Sequence, residues 1–233
     1  MSSEPIVASV RAVHRAILDN APMIESLDRA IGDGDHLINI KRGCETLVAL
    51  GAEIESLPPA QAFERIGKKL LATIGGASGP LIASFFLAMG KDLDGTLQPS
   101  STQMAQAFSA GVDAIRSRGK ADLGEKTMLD VLIPVARLFL RLTAESATME
   151  TLCERLKEEA ERGMLATRDM VASKGRAYFL GERSIGHIDP GSKTSQIAIA
   201  AVCDLLAGRY ANGGNGANGS DSMPGAGFEG TAP

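Results

Sequence analysis

Apolar residues recur at helical spacing along almost the whole chain, and that regularity confines it to an all-α fold. Ile6, Val10, Val13 or His14, and Ile17 share one helix face. So do Phe63, Ile66, Leu70 and Ile74, then Met104, Phe108, Val112 and Ile115, and later Leu152, Leu156, Met164 and Val171. Steps of three and four return side chains to the same side of a 3.6-residue turn. The pattern predicts eight helices, over 5–20, 36–52, 59–74, 79–92, 100–118, 127–144, 148–173 and 190–208. The only strand-like fragment, "RAYFL" at 176–180, is too short to build a sheet.

Segment 129–142, "LDVLIPVARLFLRL", is apolar nearly all round and is expected to be the most buried helix, with Pro134 kinking or breaking it. Most connections are short, so neighbouring helices should run antiparallel. The longer ones fall at 20–36, 74–79, 118–127 and 173–190, and they hold most of the unusual residues. Residues 211–233 carry seven glycines, three asparagines and two prolines, too little apolar surface to bury a core. The expected organisation is one helical domain over 1–208 and a flexible Gly/Asn-rich tail over 209–233.

With 24 basic against 28 acidic residues, the net charge is −4, and no stretch is strongly basic, so binding along a nucleic-acid backbone is not indicated. Trp is absent and aromatics make up 4% of the chain, which argues against base-stacking platforms. Cys44, Cys153 and Cys203 are widely spaced and odd in number, fitting free buried thiols in a reducing compartment. The N-terminus lacks the layout of a secretion signal, and "LIASFFLAM" and "VLIPVA" are too short to span a bilayer. A cytoplasmic protein is expected.

Within "LDRAIGDGDHL", Asp28, Asp33 and Asp35 concentrate negative charge in eight positions. One reading is local: Asp35 caps the next helix and the others shape a turn. The other is a divalent cation, since Mg²⁺ takes carboxylate oxygens together with substrate phosphates. An EF-hand fails, because Leu37 stands at the fifth position from Asp33. "GGASGPL", from Gly75 and Gly76, would let a phosphate approach a helix start, or is simply a tight connection. In "RGKADLGEKTMLD", Thr127 and Asp130 fit a variant capping box. In "KGRAYFLGERSIGHIDPGS", Asp189 and Pro190 read as N-cap and N1, and Arg176 and Arg183 could bind phosphate. "GHIDPGSKT" misses a P-loop because Ser192 separates Gly191 from Lys193, and Leu37 spoils a dinucleotide fingerprint in "GDGDHL". His14 lies on an apolar face and reads as structural, whereas His36 and His187 sit in unusual loops and are better placed to contact a ligand.

These four segments, in this order and spacing across nearly all of 5–208, resemble the nucleotide-binding L subunit of dihydroxyacetone kinases, the DhaL family. The resemblance implies an eight-helix antiparallel barrel with ADP or ATP bound in the loops at one end. It implies that Asp28, Asp33 and Asp35 hold two Mg²⁺ ions. His36, Asn39, Gly76, Ala77, Ser78, Gly119, Met128, Arg176, Asp189, Pro190 and Gly191 match nucleotide-contacting positions. The implied partner is a K subunit holding dihydroxyacetone. A phosphohistidine-carrying phosphotransferase subunit would recharge ADP from phosphoenolpyruvate, and a homodimer is a further expectation. Alternatives are an ATP-dependent kinase for another short ketose or tetrose and a nucleotide-dependent regulatory module. No covalent nucleophile is needed on this chain. Leu37, Lys41, Cys44, Leu123 and Glu125 depart from the family's usual residues, and none of them removes a metal ligand.

Overall fold

The computed structural model describes residues 3–76 and 78–213, the last five as backbone only. Ten α-helices appear among them: α1 (Glu4–Asp19), α2 (Ala21–Ile31), α3 (His36–Ala49), α4 (Gly51–Glu55), α5 (Pro59–Thr73), α6 (Ser78–Asp92), α7 (Ser101–Gly119), α8 (Leu129–Ala144), α9 (Met149–Ala166) and α10 (Pro190–Gly213). No strand occurs among the described residues. Setting aside short α2 and α4, the eight others pack in a closed ring in the order α1, α3, α5, α6, α7, α8, α9, α10 and back to α1.

Helices around this ring alternate in direction, so the four longer connections gather at one end of the barrel. The N-termini of α3, α6, α8 and α10 open at that same end. The opposite end is closed by compact ties, among them the Ser3 hydroxyl donating to the Leu57 carbonyl at 2.6 Å. A row of five phenylalanines, Phe63, Phe86, Phe85, Phe108 and Phe139, links α5 to α8, with successive ring centroids 5.2–6.2 Å apart. That spacing suits aromatic pairs and adds directional packing to the burial of their area.

Helix α8 is the most buried, with nine of its sixteen residues inside, as its apolar surface predicts. Pro134 does not break it; the helix runs through. Proline has no N–H, so the Asp130 carbonyl one turn earlier loses its usual helical donor. Gly163 of α9 lies against that carbonyl, where a Cβ would collide with it. Absence of a side chain therefore lets α9 close over the gap in α8.

Several boundaries differ from expectation. Residues 21–31 form α2 rather than part of a long connection, because its inward stripe is Ile24, Asp28 and Ile31 and the carboxylate interrupts the apolar period. Helix α9 stops at Ala166 rather than 173, where the Thr167 hydroxyl turns back onto the Met164 carbonyl at 2.7 Å. The strand-like "RAYFL" lies in a 3-10 segment, Arg176–Ser184, which bends at Gly181 (φ 54°). Helix α10 takes in 209–213, and the remainder of the expected tail, 214–233, lies outside the described residues. Cys153 and Cys203 are buried in one cluster between α9 and α10, and Cys44 is half-buried.

Gly163→Ala should destabilise the fold by about 1–3 kcal/mol, because the added methyl has no room beside the α8 backbone. Urea unfolding monitored by circular dichroism measures it.

Candidate functional site

Asp28 occupies the last turn of α2 and is 4% exposed. Its Oδ2 accepts the backbone N–H of His36 at 2.9 Å, which binds the end of α2 to the start of α3. Gly32 is required between them, since a Cβ there would strike the Asp28 carboxylate. Asp33 pairs through Oδ2 with Arg176 Nε at 2.8 Å, bringing the 3-10 segment onto the aspartate loop. Asp35 stands at the N-cap of α3, yet its side chain makes no capping hydrogen bond. The local reading of this residue therefore lacks its contact. The Asp35 carboxylate faces the next connection: a Cβ on Gly76 would stand 3.9 Å from its Oδ2.

The other expected residues fall at the same end. His36 Nε2 lies 3.1 Å from Thr194 Oγ1 of α10. Burial holds the imidazole below its ordinary pKa, against the pull of Asp28, Asp35 and Asp33, so all three carboxylates act on this ring. Asn39 is buried one turn further along α3, facing Gly75. Gly119 ends α7, and Met128 lies beside Gly191, whose Cβ position is 3.6 Å from the Met128 Cβ. Asp189 caps α10 as the sequence predicts, its Oδ2 accepting the Ser192 N–H at 2.6 Å. Ser78 begins α6, and Ala77 lies outside the described residues. His187 is different: the residue is exposed and its backbone carbonyl accepts from Lys126 Nζ. His14 lies in α1, in mid-helix, with Nε2 buried.

The ties that hold these loops together join residues far apart in the chain and leave no local signal in the sequence. Lys126 is buried in a left-handed backbone conformation (φ 61°). Its Nζ donates to the carbonyls of Thr167 and, at 2.6 Å, His187. Burial lowers its pKa, opposed by Asp189, Asp169 and Asp130. The Ser192 hydroxyl donates to the Thr127 carbonyl at 2.7 Å, and the Asp189 N–H donates to Thr167 Oγ1 at 3.1 Å. Asp130 takes the N–H groups of Gly124 at 2.5 Å and Thr127 at 2.7 Å. The predicted capping box is thus half formed: Asp130 reaches back, while Thr127 Oγ1 accepts from Leu129 instead. The loops before α8 and before α10 are one hydrogen-bonded unit.

The donors around the aspartates suit a hard cation, being carboxylate oxygens without thiolate. Among the described residues no three acidic, histidine or cysteine side chains converge as the ligands of one ion. Single carboxylates at the mouth of the site, completed by phosphate oxygens and water, remain in keeping with magnesium chemistry. Four helix N-termini at the same end favour an anion, because their aligned peptide dipoles are positive there.

The DAK2 domain profile matches residues 30–204. The chain belongs to the DAK2 domain family. Its DhaL branch is the relevant one: the ADP-binding subunit DhaL of the PTS-dependent dihydroxyacetone kinase of Lactococcus lactis is 40% identical over 194 residues, covering 82% of this chain and 91% of that one. The corresponding subunit of PEP-dependent dihydroxyacetone kinase 1 of Listeria innocua is 38% identical over 186 residues, covering 80% and 88%. The fold is shared with the dihydroxyacetone kinase of C. freundii, solved with AMP-PNP and Mg²⁺, at a TM-score of 0.67 and 24% identity. This DAK2 chain aligns over 85% of its own length and 33% of that larger one.

Lys126→Ala should cost roughly 1–3 kcal/mol, since the buried Thr167 carbonyl and the partly buried His187 carbonyl lose their donor; chemical denaturation measures it. Asp189 supplies a pH signature. Burial pushes its carboxyl up to about 6. Its folded-state pKa lies above the unfolded value of about 4, so the folded form holds the proton more tightly. Stability should therefore fall as pH rises from about 4 to about 6 and level off above. Melting temperatures across that range should show this component in the native chain and lose it in Asp189→Asn.

Proposed function

We propose that this DAK2 protein is the nucleotide-binding subunit of a dihydroxyacetone-type kinase, passing a phosphoryl group from bound nucleotide to a hydroxyl of a short ketose held on a partner K subunit. The observation that carries this reading is the gathering of Asp28, Asp33 and Asp35 with four helix N-termini at one end of the barrel. Carboxylates and phosphates repel one another, and a divalent cation between them removes the conflict. Asp28, Asp33 and Asp35 would hold two Mg²⁺ ions, which when bound neutralise charge on the transferring group. His36, Asn39, Gly76, Ala77, Ser78, Gly119, Met128, Arg176 and the run Asp189, Pro190, Gly191 would surround the nucleotide.

The chain's own residues have definite tasks in this scheme. Arg176, paired to Asp33, keeps the aspartate loop against the 3-10 segment and offers further guanidinium donors. Asp28 fixes the start of α3 through the His36 N–H and so shapes the loop between them. Lys126 and Asp130 lock the loops that present Met128 and Gly191. Catalysis consists of positioning and charge neutralisation, with no covalent intermediate on the protein.

The two relatives named above, covered over most of their length, carry PTS- or PEP-dependent in their names, which favours phosphoenolpyruvate as the phosphate source through a phosphohistidine-carrying subunit. Cytoplasmic location and a single domain over 1–208 belong to the same proposal. No helix among the described residues is long and apolar enough to cross a membrane.

Asp33→Ala should weaken ADP binding in the presence of Mg²⁺ by about tenfold or more, some 1.4 kcal/mol, with the helical spectrum unchanged. Titration calorimetry with and without Mg²⁺ reads this, and equal affinity of the two proteins would reject the metal role.

A further inference from the structure

A groove of about 700 Å³ lies between α8 and α9, on a flank of the barrel rather than over the aspartates. Arg137 and Arg141 of α8 and Arg155 and Arg162 of α9 line it, with Leu138 and Ala166 among its apolar lining. Arg155 is paired with Glu158 at 3.3 Å, and Arg162 with Glu159. Among the described residues neither Arg137 nor Arg141 makes a salt bridge, although one turn of helix brings both to the same face. The Asp122 carboxylate near Arg137 is already held by Arg116. Asp130, also in the groove, spends both oxygens on backbone N–H groups. On a protein of net charge −4, the trough thus sets four arginines against Asp130, Glu158 and Glu159, a surplus of one positive charge, with Arg137 and Arg141 outside its salt bridges.

We propose that this groove docks an acidic segment of a partner protein, seated by apolar side chains on Pro134 and Ala166 and paired to Arg137 and Arg141. Charge complementarity sets the sign of the occupant. Shape sets its kind: the lining spans twelve residues of each helix, from 130 to 141 and from 155 to 166, or about 16 Å at a rise of ~1.5 Å per residue step. A small anion needs donors converging on a point, whereas these are spread along a trough with an apolar lining. Three turns of an amphipathic helix, or about five extended residues, match that length. A nucleic-acid backbone would have little use for the apolar lining, and no aromatic residue lines the groove for a base to stack on.

The groove's far end meets the functional end of the barrel. Leu123 and Gly124 line it, and Asp130 ties Gly124 and Thr127 into the loop that presents Met128. A segment seated there touches the loop network directly. The surface does not depend on the proposed nucleotide role, so failure of either leaves the other standing.

The test uses the full chain and a fluorescent peptide of about twelve residues, three helical turns of alternating Glu and Leu blocks. Anisotropy should show saturable binding that weakens with salt and falls about tenfold or more in Arg137→Glu/Arg141→Glu. Arg137→Gln/Arg141→Gln replaces it if the charge reversal disturbs the fold. A matched Lys/Leu peptide should not bind. No saturable binding, equal binding by the double variant, or full displacement by tripolyphosphate would overturn the proposal. In cells, a benzophenone side chain replacing exposed Ala166 should cross-link an acidic segment of another protein. Cross-links to a second copy, to residues 214–233 of the same chain, or to a basic segment would overturn it.

Discussion

Electrostatic conflict at one end of the barrel organises much of this molecule. Three carboxylates share that end with the positive termini of four helices, and a phosphate drawn by the latter is repelled by the former. The protein manages the charge locally. Asp28 is buried and takes a backbone N–H, Asp33 takes Arg176, and Asp35 faces the glycines before α6. The Asp33–Arg176 pair costs little to exchange for a cation, being exposed and of modest worth. The site is therefore preorganised in its backbone and adaptable in its side chains.

Direction alternates around the ring, and that alternation turns four connections distant in sequence into one surface. Polar ties then fix the surface. Lys126 reaches two carbonyls that lie 41 and 61 residues later in the chain. Asp130 secures its own preceding loop, and Ser192 returns to Thr127. Such a buried network stabilises only when its members are all satisfied, so loss of one is felt across both loops. Pro134 and Gly163 solve a related problem in the helical wall, where a missing donor in α8 meets a missing side chain in α9.

Legibility in the sequence followed the range of the interaction. Apolar periodicity located ring helices such as α1, α5, α7 and α9, because each carries its own inward stripe, and α8 showed itself by an apolar surface nearly all round. The Asp189 cap was readable because donor and acceptor are three residues apart. Helix α2 was not, since Asp28 sits where a third apolar residue would have completed the stripe. The early end of α9 depends on Thr167, and Lys126 beside it signals only through long-range bonds. The aspartates were visible as a cluster, but their relation to Gly76, Thr194 and Arg176 needed the fold.

Diffraction from crystals grown with ADP and Mn²⁺, collected at a wavelength where manganese scatters anomalously, tests the central claim most directly. The account predicts two anomalous peaks, each in contact with oxygens from among Asp28, Asp33 and Asp35 and bridged to the diphosphate. Diphosphate density at this end of the barrel with no peak beside those carboxylates, or nucleotide bound on another face, would contradict it.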